Sequence, residues 1–371
     1  MLNAEIKRER VNVTKKPSDQ YSLNKSNSQT NSFAQTGQDL AAPPGQDVAT
    51  PKGQHLPDVA LEATKSELSS LLWVGMSQIE TPVLWVDGEG QVLRIPGRVD
   101  AWVSLDLKPA RGIHMSRLYL RVQKILADQP LSVSALRSLT GEFLNSHQEL
   151  SGRSRVAVDV TLPIRRKALI SENMGWRNYP VIVVAEQAST LSKGLRLFLE
   201  VKIAYSSTCP ASAALSRQLS AAEFLRVFPQ GANPERIAEW LGTTQGMPAT
   251  PHAQRSEARV LVEVNLEVFE SEKNSNLPVL KVIDLIETAL QTPVQAAVKR
   301  EDEQEFARLN SQNLMFCEDA ARRVRESLEK STYILDYFGR FQHFESLHPH
   351  NAVSFIQRDK NGLSGFYGQQ G

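Results

Sequence analysis

From Ala258 to Phe269 the side chains alternate: Val260, Val262, Val264 and Leu266 fall in one set, Leu261, Glu263, Asn265 and Glu267 in the other. A period of two sends alternate side chains to opposite faces of an extended chain, so this stretch reads as a strand with an apolar face to cover. Similar runs occur at Val83–Val86, Gly97–Leu105, Arg155–Val160, Leu195–Ser206, Tyr333–Glu345 and Ala352–Ile356. Between them, helical spacing marks Met115–Leu126, Val133–His147, Leu280–Leu290 and Asn313–Leu328. Two strands, two helices and two strands make an α+β unit, and the second half repeats that order.

The 371 residues therefore divide into two tandem ββααββ-like modules, 56–207 and 258–371. Residues 208–257 lie between them as a cysteine-bearing loop and an insertion. Within that insertion Asn233-Pro234, followed by Ile237, Trp240 and Leu241, predicts a short capped helix. Residues 1–55 are rich in Ser, Asn, Gln, Lys, Gly and Pro and almost free of aromatics, which predicts a disordered polar tail with order beginning near Leu56. Net charge is +1, which argues against a nucleic-acid or anionic-membrane surface and leaves any anionic ligand to a local cluster of cations. Two cysteines, no signal-peptide core and no membrane-length apolar run predict a soluble cytoplasmic protein.

Metal-type and acid–base side chains concentrate in five stretches: Ser206–Ser212 around Cys209, Pro251–Ser256 around His252, Lys299–Glu305, Asn313–Asp319 and Glu345–His350. One Cys, one or two His and a Glu drawn from separate segments match a catalytic metal site with an open position for water. No HExxH or CxxC spacing supports this. Cys209 reads equally well as a small buried hydrophobe, Cys317 as core, and the charge run from Lys299 as a solvated face. In the last stretch, side chains of Glu345 and of the two histidines would face opposite ways on an ideal strand. Pro349 favours a bend there that could gather them.

The five stretches, with Gly112–Leu118 (GIHMSRL), together resemble the type IB GTP cyclohydrolases over roughly residues 56–358. The resemblance is carried by GIHMSRL, SSTCP at Ser206–Pro210, His252 with Gln254-Arg255-Ser256, Lys299-Arg300 with Asp302-Glu303, FCEDA at Phe316–Ala320, and ESLHPH at Glu345–His350. It implies a tunnelling fold, a homotetramer with active sites between subunits, and hydrolysis of GTP to formate and 7,8-dihydroneopterin triphosphate with a divalent metal (Mn²⁺, Fe²⁺ or Zn²⁺). By the same matching, His252, Glu303, His348 and a cysteine, here Cys209, are metal ligands. Glu345 anchors the guanine ring, Glu318 and His350 are acid–base groups, and Cys209 belongs to the catalytic set. For the triphosphate, Arg117, Arg255, Lys299 and Arg300 are candidate cations, with His114 as a further substrate contact.

The family pattern at the cysteine stretch is Cys-Pro-Cys with the second Cys as ligand, and this chain has Ala211 there. Either Cys209 supplies the thiolate by a local backbone adjustment, or His252, Glu303 and His348 hold the ion with water. The second set favours a harder ion such as Mn²⁺ or Fe²⁺. A metal-poor or non-catalytic purine- or pterin-binding relative is the remaining alternative.

Overall fold

The structure is a computed structural model that describes residues 69–106, 110–189, 194–271 and 277–358. The expected tail and the start of order near Leu56 lie outside the described residues. The chain opens with the hairpin β1 (Leu71–Val86) and β2 (Val92–Leu105), continues through α1 (Met115–Leu126) and α2 (Val133–Ser146), and returns as β3 (Arg153–Lys167), β4 (Met174–Ala188) and β5 (Leu195–Thr208). Two helices, α3 (Pro210–Val227) and α4 (Pro234–Leu241), precede β6 (Ala253–Val264). Then come α5 (Leu266–Ser271), α6 (Val279–Leu290), α7 (Arg300–Gln312), α8 (Cys317–Lys330), β7 (Ile334–His343) and β8 (Ala352–Gln357). The eight strands form one antiparallel sheet in sequence order.

One face of the sheet makes the core. Val99, Ala101, Val156, Val158, Leu197, Leu199, Val260 and Val262 pack there with Leu118, Val122 and Ile125 of α1 and Leu136, Leu139 and Phe143 of α2. From the second half come Val282, Ile283 and Ile286 of α6 and Ala321, Val324 and Leu328 of α8. Each helix presents residues three and four apart, so one stripe is dry while the rest faces water. Leu136, Leu139 and Phe143 are fully buried, and each such side chain contributes about 1.5–3 kcal/mol. Leu261 falls on the opposite face with Ala157, Val184 and Phe198. Cys317 is buried, its Sγ 3.2 Å from Ser354 Oγ, as a core position.

Four features depart from the sequence reading. The alternating strand ends at Val264, because the Asn265 carbonyl accepts from the Phe269 N–H at 3.1 Å and starts a helical turn. Strand β4 was unexpected, and Leu195–Ser206 is accordingly the fifth strand. Helix α7 occupies the charge run from Lys299. Helix α3 begins directly after Cys209, with Pro210 in its first turn, so the cysteine stretch is a helix start rather than a loop. The predicted helix at Asn233 is present, its Oδ1 accepting from Arg236 N–H at 2.9 Å. Together α3 and α4 form an arm with its own small core, in which Phe228 and Trp240 stand edge to face at 5.5 Å and Phe224 packs on both. Leu215, Leu219 and Leu225 on α3 are exposed. Among the described residues no helix is long and apolar enough to cross a membrane.

Candidate active site

Antiparallel pairing of β5, β6 and β7 sets Thr208 opposite Ala253 and Ser256 opposite His343, so the end of β5, the start of β6 and the end of β7 share one end of the sheet. The backbone there is stitched together. Cys209 N–H donates to the His252 carbonyl at 3.2 Å, Phe344 N–H to Arg255 at 3.1 Å, and Met315 N–H to Thr208 at 3.1 Å. Cys209 is the N-cap of α3 and its Sγ accepts from Ser212 N–H at 3.5 Å. Ser212 Oγ in turn accepts from His252 N–H at 3.1 Å. His252 Nδ1 lies 3.0 Å from Gln254 Oε1 and 3.5 Å from Ser346 Oγ. A proton on Nδ1 shared with the Gln254 amide oxygen would leave Nε2 open to a ligand.

Bending of residues 346–350 follows β7, as Pro349 suggests. Glu345 is half-buried, its N–H donating to Asn351 Oδ1 at 3.3 Å. His348 and His350 are exposed with rings stacked 5.1 Å apart and 8° from parallel. Glu318, exposed in the first turn of α8, lies near enough to His343 to favour its protonation. Burial dominates, however, and His343 is pushed down to about 4. Its Nε2 is 3.1 Å from the hydroxyl of Tyr205, whose own ionisation burial pushes up. Beside this pair, Ser207 and Ser256 share a buried hydroxyl contact of 2.8 Å.

Lys299, Arg300 and Glu303 are exposed at the start of α7. Asp302 between them is buried and ties the helix to the β3–β4 turn, while Asn310 near the other end accepts from Ser206 Oγ at 2.6 Å. Desolvation alone would raise the Asp302 carboxyl, but hydrogen bonds from Lys299 N–H, Ser171 Oγ, Ser171 N–H and Ile170 N–H hold it far below the usual carboxylate range. His114 and Arg117 sit elsewhere. Arg117 Nη1 donates to the Ser146 carbonyl at 2.8 Å, at the end of the sheet where β2 finishes and β3 begins. A strand as long as β5 spans roughly 40 Å, so within one chain these two residues do not share the Cys209–His252 site.

The donor types fit a divalent ion, since a thiol-bearing and an imidazole-bearing residue are joined backbone to backbone, and carboxylates and further imidazoles stand in the first turns of α7 and α8 and on the bend after β7. Yet among the described residues of a single chain, no three His, Cys, Asp or Glu side chains are grouped to hold one. Ala211 is exposed in the first turn of α3. Residues that sequence reasoning passed over are Ser212, Ser346, Tyr205, His343 and Asn310. Ser212 and Ser346 stood within the quoted stretches, whereas His343 and Tyr205 look like ordinary strand residues. A cleft of about 830 Å³ over β1–β3, between Arg94, Arg98 and Asp159, contains none of the candidate residues.

An α+β chain whose thiol, imidazoles, carboxylates and cations stand on segments at one end of an antiparallel sheet carries the residue types that an acid–base enzyme uses. Residues 56–354 match the family described as type I GTP cyclohydrolase FolE2. "GTP cyclohydrolase FolE2" of Bdellovibrio bacteriovorus is 52% identical over 305 residues, covering 82% of this chain and 96% of that protein. The proteins of that name from Pseudoalteromonas translucida and Hydrogenovibrio crunogenus are each 43% identical, over 84% and 83% of this chain and 99% and 96% of their own lengths. Among solved structures, uricase from Arthrobacter globiformis is similar with a TM-score of 0.44 and 11% identity, over 80% of this chain and 97% of that one. The chain belongs to the type I GTP cyclohydrolase FolE2 family.

Proposed function

We propose that the chain hydrolyses GTP to formate and 7,8-dihydroneopterin triphosphate, the entry step to pterins and folates. The observation that carries this reading is the extent of the family match, which runs through every stretch bearing a candidate site residue. Glu345 accepts two hydrogen bonds from the guanine amide and amino edge, a geometry suited to a carboxylate. Glu318 and His350 exchange protons with the opening imidazole ring. Arg255, Lys299 and Arg300 hold the triphosphate, with His114 and Arg117 contributed from the far end of the sheet of another copy.

His252, Glu303, His348 and Cys209 hold a divalent ion (Mn²⁺, Fe²⁺ or Zn²⁺). The position of Cys209, already hydrogen-bonded to the backbone of His252, supports it as the thiolate in place of a residue at Ala211. When bound, such an ion brings the pKa of a coordinated water to about 7. The expected modules 56–207 and 258–371 would hold five strands and three; a division between β4 and β5 instead gives each half four strands with helices between its second and third, and that arrangement supports a tunnelling fold of two tandem modules. Among the described residues of one chain the four ligands are not grouped, which supports sites shared between subunits of a homo-oligomer, here a homotetramer. The cytoplasm is the proposed location. The test is to load purified protein with each of the three metals, supply GTP and measure formate. Formate equal to the pterin formed supports the reading, and GTP left intact with all three metals removes it.

A further inference from the structure

Helix α7 is held to the body of the protein in an unusual way. Of its 13 residues only Asp302 is fully buried, and its apolar face is thin. What fixes the helix is polar: Asn310 near one end, and at the other a carboxylate whose acceptor positions are all filled. Asp302 Oδ1 accepts from Ile170 N–H at 2.8 Å and Ser171 N–H at 2.9 Å. Its Oδ2 accepts from Ser171 Oγ at 2.6 Å and Lys299 N–H at 2.8 Å. Every donor is neutral. A buried ionised group is a poor way to gain stability compared with an apolar one of similar size, but it dictates one arrangement of the segments that satisfy it.

That arrangement sets the start of α7. Lys299 N–H is one of the four donors, and Glu303 follows Asp302 in the same first turn, exposed, as does Arg300. We infer that Asp302, clamped by Ser171 on the β3–β4 turn, is a positioning residue that fixes Glu303 for metal ligation. The inference rests on the reading of Glu303 as a ligand. The ligand's own side chain is long and otherwise free to sample several rotamers, so its pointing depends on where its backbone is held. A support of this kind is of the sort whose loss typically weakens metal binding about 10- to 100-fold.

The experiment uses the full chain in four variants, Asp302→Asn, Ser171→Ala, Ser171→Thr and Glu303→Gln, with Mn²⁺ and Zn²⁺ affinity measured by competition with a chromophoric chelator and Tm measured in parallel. Asparagine offers one acceptor oxygen where the carboxylate offers two, so Asp302→Asn is expected to lower metal affinity about 10- to 100-fold at temperatures well below its own Tm. Ser171→Ala should lower it by a smaller factor, and Ser171→Thr, which keeps the hydroxyl, should restore it. A clamp that served stability alone would lower Tm and leave the affinity of the folded protein unchanged, and that result in Ser171→Ala and Asp302→Asn overturns the inference. Should Asp302→Asn fail to fold, the Ser171 pair decides. If Glu303→Gln keeps full metal affinity, the ligand reading itself is wrong and the inference goes with it. If Glu303→Gln loses metal while the clamp variants do not, only the clamp is wrong.

Discussion

Cys209 and His252, 43 positions apart in the chain, are joined backbone to backbone: the amide of the first donates to the carbonyl of the second at 3.2 Å. The whole α3–α4 arm leaves and re-enters the sheet through this junction, so the backbone positions that carry the thiol and the imidazole stay joined at the base of the arm. Cys209→Ala is therefore expected to reduce metal content and formate release by at least 10-fold with little change in Tm, read by metal analysis and a formate assay. Ala211→Cys is expected to change formate release less than 2-fold, because position 211 faces solvent on the first turn of α3. A large gain from that substitution would move the thiolate role to position 211.

Glu345→Gln should raise the KM for GTP about 10- to 100-fold, because an amide cannot accept both guanine N–H groups and leaves one of them unpaired. Steady-state kinetics with GTP and with inosine triphosphate check this. The variant should discriminate less between the two than the native enzyme does, since inosine triphosphate lacks the amino group.

His343 gives a pH dependence with a definite sign. Burial holds it at about 4 against an ordinary 6.5. Below pH 6.5 the unfolded chain takes up a proton that the folded one refuses, so stability falls as pH drops from 6.5 towards 4, by at most about 3 kcal/mol. Above pH 6.5 the contribution is fully present. Urea unfolding of native protein and His343→Gln across pH 4.5–7.5 measures it, and the variant should show a flatter slope over that window.

The arm makes its own small core from Phe224, Phe228 and Trp240. Trp240→Ala should open the arm to limited proteolysis between residues 228 and 247 and leave the main unfolding transition within about 2 °C, since the substitution removes packing only from the arm. A loss of global Tm comparable with that of Leu136→Ala, a core truncation costing about 2–5 kcal/mol, would show the arm to be part of the main core.

Legibility of the fold followed the strength of the periodic signal. Met115–Leu126 emerged as a helix with its bounds unchanged, because Leu118, Val122, Ile125 and Leu126 repeat at helical spacing over a dry stripe. Strand β4 went unread although Tyr179, Val181, Val183 and Ala185 alternate, because Pro180 and the polar residues before it broke the run. Helices α3 and α7 hid for another reason. The first buries only Ala213 and Ser216 and the second only Asp302, so neither carries an apolar stripe for periodicity to find. Pro210 after Cys209 was the available signal for α3, as Pro234 after Asn233 was for α4. At the site, motif resemblance located Cys209, His252 and Glu345 on stretches that the sheet brings to one end. That His114 and Arg117 stand at the other end depends on strand direction and register, which no local pattern reports.

The central claim, that this chain opens the guanine imidazole ring with the groups gathered around Cys209 and His252, is tested most directly by formate release from GTP. Metal-loaded native protein should release one formate per dihydroneopterin triphosphate, and the Cys209→Ala, His252→Ala double variant should release at least 100-fold less while remaining folded. Native rates in that double variant, or no formate from the native protein with Mn²⁺, Fe²⁺ or Zn²⁺, would contradict it.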